Sequence, residues 1–230
     1  MLNFNKEDCW YRNVCNKYNT KECYSGCVRH LEMNYLIQSS NIPPILQYPV
    51  ILKPSKLDLK VFQQLSSKKD NIFSFVNGGR DLYIYSKNSG NGKTTWAVKL
   101  MLKYFDEIWS GNGFECKGLF IHTPSFLLRI KTAFNKVDVE LNKLMILLNT
   151  VPLVIWDDII VTDIKNYDYS VLLSFINIRN NYNLSNIYTS NLNGDELMEK
   201  LGERLFSRIY EKSQKIEFKG ADRRGDFYYD

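Results

Sequence analysis

Residues 82–100 pass from an apolar stretch, Leu82-Tyr-Ile-Tyr85, through Ser86-Lys-Asn-Ser-Gly-Asn-Gly-Lys-Thr-Thr95 into Trp96-Ala-Val-Lys-Leu100. A loop that closes a strand and opens a helix is half of a βα unit, and it fixes the kind of layer the chain must build. Its unpaired backbone N–H groups lie at the positive end of the helix dipole, where phosphate binds. Gly90 and Gly92 allow the backbone to approach phosphate without a side-chain clash. Lys93 reaches the β- and γ-phosphates, Thr94 offers a hydroxyl to Mg²⁺, and Asn88, Ser89, Asn91 and Thr95 complete the cradle. One position departs from the usual motif: six residues before the lysine stands Lys87 rather than glycine.

The rest of the chain alternates in the same way. Helical spacing of Leu59, Phe62, Leu65, Ile72 and Phe75 predicts a helix over residues 57–76. Strands are predicted at 82–85, 118–122, 153–156, 186–189 and 215–218. Helices are predicted at 94–109, 125–134, 139–148, 169–180 and 195–211. Such alternation argues for an α/β fold with a central parallel sheet and helices on both faces. With 230 residues, 44% of them hydrophobic, there is enough for one core and a small appendage. No apolar run is long enough for a bilayer, and the N-terminus lacks the charged and apolar regions of a signal peptide, so a cytoplasmic protein is expected. A net charge of +5 permits nucleic-acid contact without demanding it.

Three further segments carry chemistry. Val151-Pro-Leu-Val-Ile-Trp-Asp-Asp158 is an apolar strand that delivers paired acids to its C-terminal edge. Asp157 is suited to hold Mg²⁺ through water and Asp158 to orient or activate an attacking water. Taken alone, an Asp-Asp pair is also a helix-start signal. Asn186-Ile-Tyr-Thr-Ser-Asn191 is another strand with a polar end, and Asn191 is the candidate for contact with the γ-phosphate or the water, unless it caps a helix. Arg204 and Arg208 stand one helical turn apart, as solvated ion-pair partners of Glu203 and Glu211 or as arginines that complete a neighbouring subunit's site.

In this order, the P-loop, Val-Ile-Trp-Asp-Asp, Tyr-Thr-Ser-Asn, Gly-Glu-Arg-Leu-Phe-Ser-Arg and Phe-Lys-Gly-Ala-Asp-Arg-Arg resemble the AAA+ ATPases of DnaC type. These are bacterial and phage replicative-helicase loaders and the related IstB-like transposition helpers. The resemblance covers residues 39–225 and includes the lead-in Ser-Asn-Ile-Pro-Pro. It implies ATP hydrolysis with Mg²⁺, Asn191 as sensor 1, and Arg208 as the arginine finger with Arg204 beside it. Arg224, or its neighbour Arg223, takes the role of a sensor-2-like arginine. It also implies single-stranded DNA and a hexameric replicative helicase as partners, and a homo-oligomer formed on ATP or helicase. Compact size suggests a phage or mobile-element source, hence the cytoplasm of a bacterial host.

Cys9, Cys15, Cys23 and Cys27 crowd the N-terminus, with only Cys116 apart. In a cytosolic chain such crowding suggests metal rather than disulfides, and four thiolates can enclose Zn²⁺. The spacings are not those of a zinc ribbon, His30 remains as a spare donor, and a [4Fe–4S] cluster would use the same ligands. The expected organisation is a metal-binding, partner-binding module at 1–38, a linker at 39–54 and an ATPase domain at 55–230. The resemblance makes the module the part that grips the helicase. Phe126, Arg129, Lys131, Phe134 and Lys136 interleave aromatic and basic residues as a stacking platform for single strands does, but an ordinary amphipathic helix reads the same and is favoured. Three other roles remain open: transposition helper, nucleotide-binding adaptor and small-molecule kinase. The Asp157-Asp158 pair argues against the kinase.

Overall fold

A computed structural model describes residues 9–24, 26–48, 51–109, 113–133, 138–159 and 166–222. Five parallel strands form one sheet: β1 (Leu82–Tyr85), β2 (Gly118–His122), β3 (Leu153–Asp157), β4 (Ser185–Ser190) and β5 (Gln214–Glu217). Their spatial order is β2-β3-β4-β1-β5. The central strands are short apolar runs because helices cover both faces. Successive residues therefore feed different cores: Leu82, Ile84, Leu153 and Ile155 one, Tyr83, Val154 and Trp156 the other.

The first core is closed by α1 (Val28–Ser39), α2 (Leu59–Asp70), α3 (Ile72–Asn77) and α4 (Lys93–Ile108). The second lies under α5 (Thr123–Thr132), α6 (Val139–Leu148), α7 (Asn166–Asn181) and α8 (Gly194–Phe206). At the β2 edge the chain covers itself, since the Phe120 amide donates to the carbonyl of Ser40 at 2.7 Å. The N-terminal cysteine-rich segment packs on this frame. Tyr11, Met33, Leu36 and Ile37 are buried in the same core as Trp96, Leu100 and Met101.

Two predicted helices are each broken. Residues 57–76 divide at Asn71 into α2 and α3, after the polar run Ser67-Lys-Lys-Asp70, and Asn71 Nδ2 folds back onto the Ser67 carbonyl at 2.9 Å. Residues 195–211 are kinked at Gly202 (φ 67°, ψ 165°) and end in a π-helical turn, Ser207–Glu211. Helix α8 itself starts under a complete capping box, Asn193 with Glu196. No described helix is long and apolar enough to cross a membrane.

Candidate nucleotide site

Ser86, the residue after β1, ties the loop together. Its Oγ accepts from the Asn88 amide at 3.1 Å and from Asn91 Nδ2 at 2.5 Å. Gly90 and Gly92 both adopt left-handed backbone, φ +67° and +97°. Gly90 is doubly constrained, because a Cβ there would stand 1.8 Å from Asp222 Oδ1. Lys87 is not among the residues of positive φ, so the position that lacks the usual glycine accepts a side chain without backbone strain. Lys93 opens α4, is only 6% exposed, and donates to the Asn88 carbonyl at 3.0 Å.

Asp157 ends β3 and is buried behind this loop. Its Oδ1 accepts from Thr94 Oγ1 and from Thr189 Oγ1, each at 2.7 Å. One carboxylate oxygen thus joins the loop, the acid strand and β4. Burial raises the Asp157 pKa above its ordinary value, while the two hydroxyls oppose the rise. Asp158 follows in left-handed backbone, φ +48°, and its amide donates to Thr189 Oγ1 at 3.0 Å. Just past β4, the buried Oδ1 of Asn191 has no hydrogen-bond partner among the described residues. Residues 89–95, Asp158 and Asn191 line a cavity of about 260 Å³. The oxygen donors Thr94 and Asp157 suit Mg²⁺, a hard cation that keeps several waters.

The other expected residues fall elsewhere. Arg208 does not line this cavity; it lies on the π-helical turn and donates to Asn177 and to the Arg204 carbonyl. Arg223 and Arg224 lie outside the described residues. Cys9, Cys15, Cys23 and Cys27 are free thiols, and no three potential metal donors are gathered among the described residues. The Cys9 thiol is raised by burial, and further by Cys27, Cys23 and Cys15, each of which acts on it electrostatically. His30 is buried on α1, its Nε2 2.7 Å from Asn34 Nδ2. The α5 stripe serves the fold. Phe126 is buried between Trp156 and Phe175, Arg129 pairs with Asp138 through two bonds, and Lys131 pairs with Asp168. Phe134 and Lys136 lie outside the described residues.

Sequence reasoning missed Thr189, which stands in a strand with other polar residues, Ser185, Asn186 and Ser190, so its hydroxyl has no signal of its own. It also missed Asp58, which holds the segment after β5 against the loop. Asp58 accepts from the amides of Lys219 and Gly220, and the Gly220 carbonyl accepts from Asn88 Nδ2 at 3.0 Å. No local pattern marks that role.

A five-stranded parallel sheet in this order, with a glycine-rich loop after β1 and paired acids at the end of β3, shares its fold with the structure of a helicase loader. No family model and no curated protein matches the chain. Solved structures do. The DnaC helicase loader is 19% identical with a TM-score of 0.61, over 72% of this chain and 92% of that one. DnaI is 18% identical with a TM-score of 0.60, over 80% and 95%. The replication initiator DnaA, bound to AMPPCP and single-stranded DNA, is 15% identical with a TM-score of 0.59, over 79% and 52%.

Proposed function

We propose that this protein is an ATP-dependent loader of a hexameric replicative helicase onto single-stranded DNA. The observation that carries the reading is the shared oxygen of Asp157, which closes a phosphate loop onto an acid strand in a fold similar to that of a helicase loader. In this reading Lys93 and the amides of residues 88–95 hold the triphosphate, and Thr94 and Asp157 hold Mg²⁺. The ion screens charge on the phosphates. Asp158 orients the attacking water, Asn191 donates from Nδ2 to the γ-phosphate or accepts from that water at its unpartnered Oδ1, and Arg208 acts on a neighbouring subunit's nucleotide. Arg224 contacts phosphate in the same chain. A structure similar in fold binds a non-hydrolysable ATP analogue and single-stranded DNA, which supports both ligands here.

The four N-terminal cysteines form a Zn²⁺ site within the module that grips the helicase. That Cys15, Cys23 and Cys27 all act electrostatically on Cys9 supports this. The test is co-purification of the zinc-loaded protein with the cognate helicase and deposition of that helicase on single-stranded circles. Lys93→Ala is expected to lower hydrolysis by about 10²–10³-fold and to abolish loading. Failure of the zinc-loaded protein to bind helicase overturns the loader reading.

A further inference from the structure

Arg208 is not left to find its orientation. Its Nε donates to Asn177 Oδ1 on α7, and its Nη1 donates to the Arg204 carbonyl at 2.7 Å. Two of the five N–H donors of a guanidinium are thereby engaged, which leaves the remainder of the fork for an anion. The backbone beneath is equally specified. The Lys212 amide bonds the Ser207 carbonyl at 3.3 Å, five residues back, closing the π-helical turn that carries Arg208. Ile209, within that turn, is fully buried.

Helix α7 fastens the turn at two points. Asn177 and Asn180 stand three residues apart on one face, and Asn180 Oδ1 accepts from Lys212 Nζ at 2.8 Å. The approach to the turn also needs a special conformation. Gly202 takes φ 67° and ψ 165°, a region essentially reserved for glycine, although a Cβ there would meet nothing within 4 Å. Packing does not explain that glycine; the direction of the chain after it does.

We infer that Asn177 is a positioning residue that presets the Arg208 guanidinium for transfer across a subunit interface. This rests on the arginine-finger reading above. A side chain as long as arginine loses rotamer freedom when it docks on phosphate, and an acceptor already fixed on α7 removes part of that loss before the subunits meet.

The test uses mixed subunits, with helicase and single-stranded DNA present. Full-length Lys93→Ala protein donates a finger but has no working site; Arg208→Ala protein has a site but no finger. Each alone is inactive, and the mixture is expected to regain hydrolysis. Asn177→Ala is then added to one subunit type at a time. On the Lys93→Ala finger donor it is expected to lower the rate of the mixture by about 10–100-fold, the scale of a small misplacement of a catalytic group. On the Arg208→Ala site donor it should leave the rate unchanged, and mant-ATP affinity should not move. Asn177→Asp, which keeps the acceptor, should restore most of the rate. Equal loss from both placements overturns the inference alone. No recovery in the parent mixture overturns the finger reading, and the inference with it.

Discussion

Asp157 carries opposing demands, since burial disfavours its charge while Thr94, Thr189 and any bound Mg²⁺ favour it. The sign of its pH dependence follows. Its folded pKa lies above 3.8, so in the metal-free protein the group favours folding most below 3.8, and this contribution is lost as pH rises through the folded value. Mg²⁺ competes with the proton and needs the carboxylate ionised. The thermal stabilisation given by Mg²⁺–ATP should therefore increase with pH, and on acidification should fade at a higher pH than an unshifted aspartate would set. Thr189→Val removes one opposing hydroxyl and should move the fade to higher pH. Melting curves with and without Mg²⁺–ATP between pH 5 and 8 measure this; an unchanged midpoint in Thr189→Val would contradict it. The sequence shows Asp157 plainly, because an acid pair ends an apolar run. Thr189 lies 32 positions away, and only strand pairing brings its hydroxyl to the same oxygen.

At the scale of elements, α7 does two jobs with polar side chains. Besides holding the Arg208 turn, it buries Arg179, which donates to the carbonyls of Leu148, Val151 and Ser185 and to Asn186 Oδ1. Burial lowers that guanidinium to about 10, still charged at neutral pH. Arg179→Met should cost about 3–5 kcal/mol, because the buried carbonyls of Leu148, Val151 and Ser185 lose a charged donor and Asn186 Oδ1 keeps only Trp156 Nε1. Arg179→Lys should also destabilise, since an ammonium cannot span the same fork. Chemical denaturation reads both. Gly202→Ala meets no clash but cannot easily hold its backbone conformation, so a loss of about 1–3 kcal/mol is expected. If Arg208 is the proposed finger, hydrolysis should fall further than nucleotide affinity, because Gly202 steers the segment that carries Arg208 and not the loop before Lys93. Equal falls in both would show that Gly202 acts on the whole domain.

Across the whole molecule, the cysteine-rich segment and the α/β core share one interior. Met33, Leu36 and Ile37 are at most 5% exposed and close the outer face of α4. At about 1.5–3 kcal/mol per buried side chain, their removal takes away on the order of 5–9 kcal/mol and bares α4 to water. A fragment starting at residue 39 should thus aggregate or melt well below the full chain. A fragment melting within a few degrees of it would mean that the module is independent.

By itself the sequence determined the βα order, the α/β class, and the places of the glycine-rich loop, the acid pair and the polar end of β4. Periodicity and turn chemistry are local, so they survive in one dimension. Tertiary structure decided the rest. It chose Thr189 as the second hydroxyl on Asp157, Asn177 as the acceptor for Arg208, and α4 as the floor under α1. It also broke two helices that the pattern ran straight through, at Asn71 and at Gly202. Each of these depends on which groups meet across the sheet and its helices, and a polar side chain shows its partner only once the chain has folded around it.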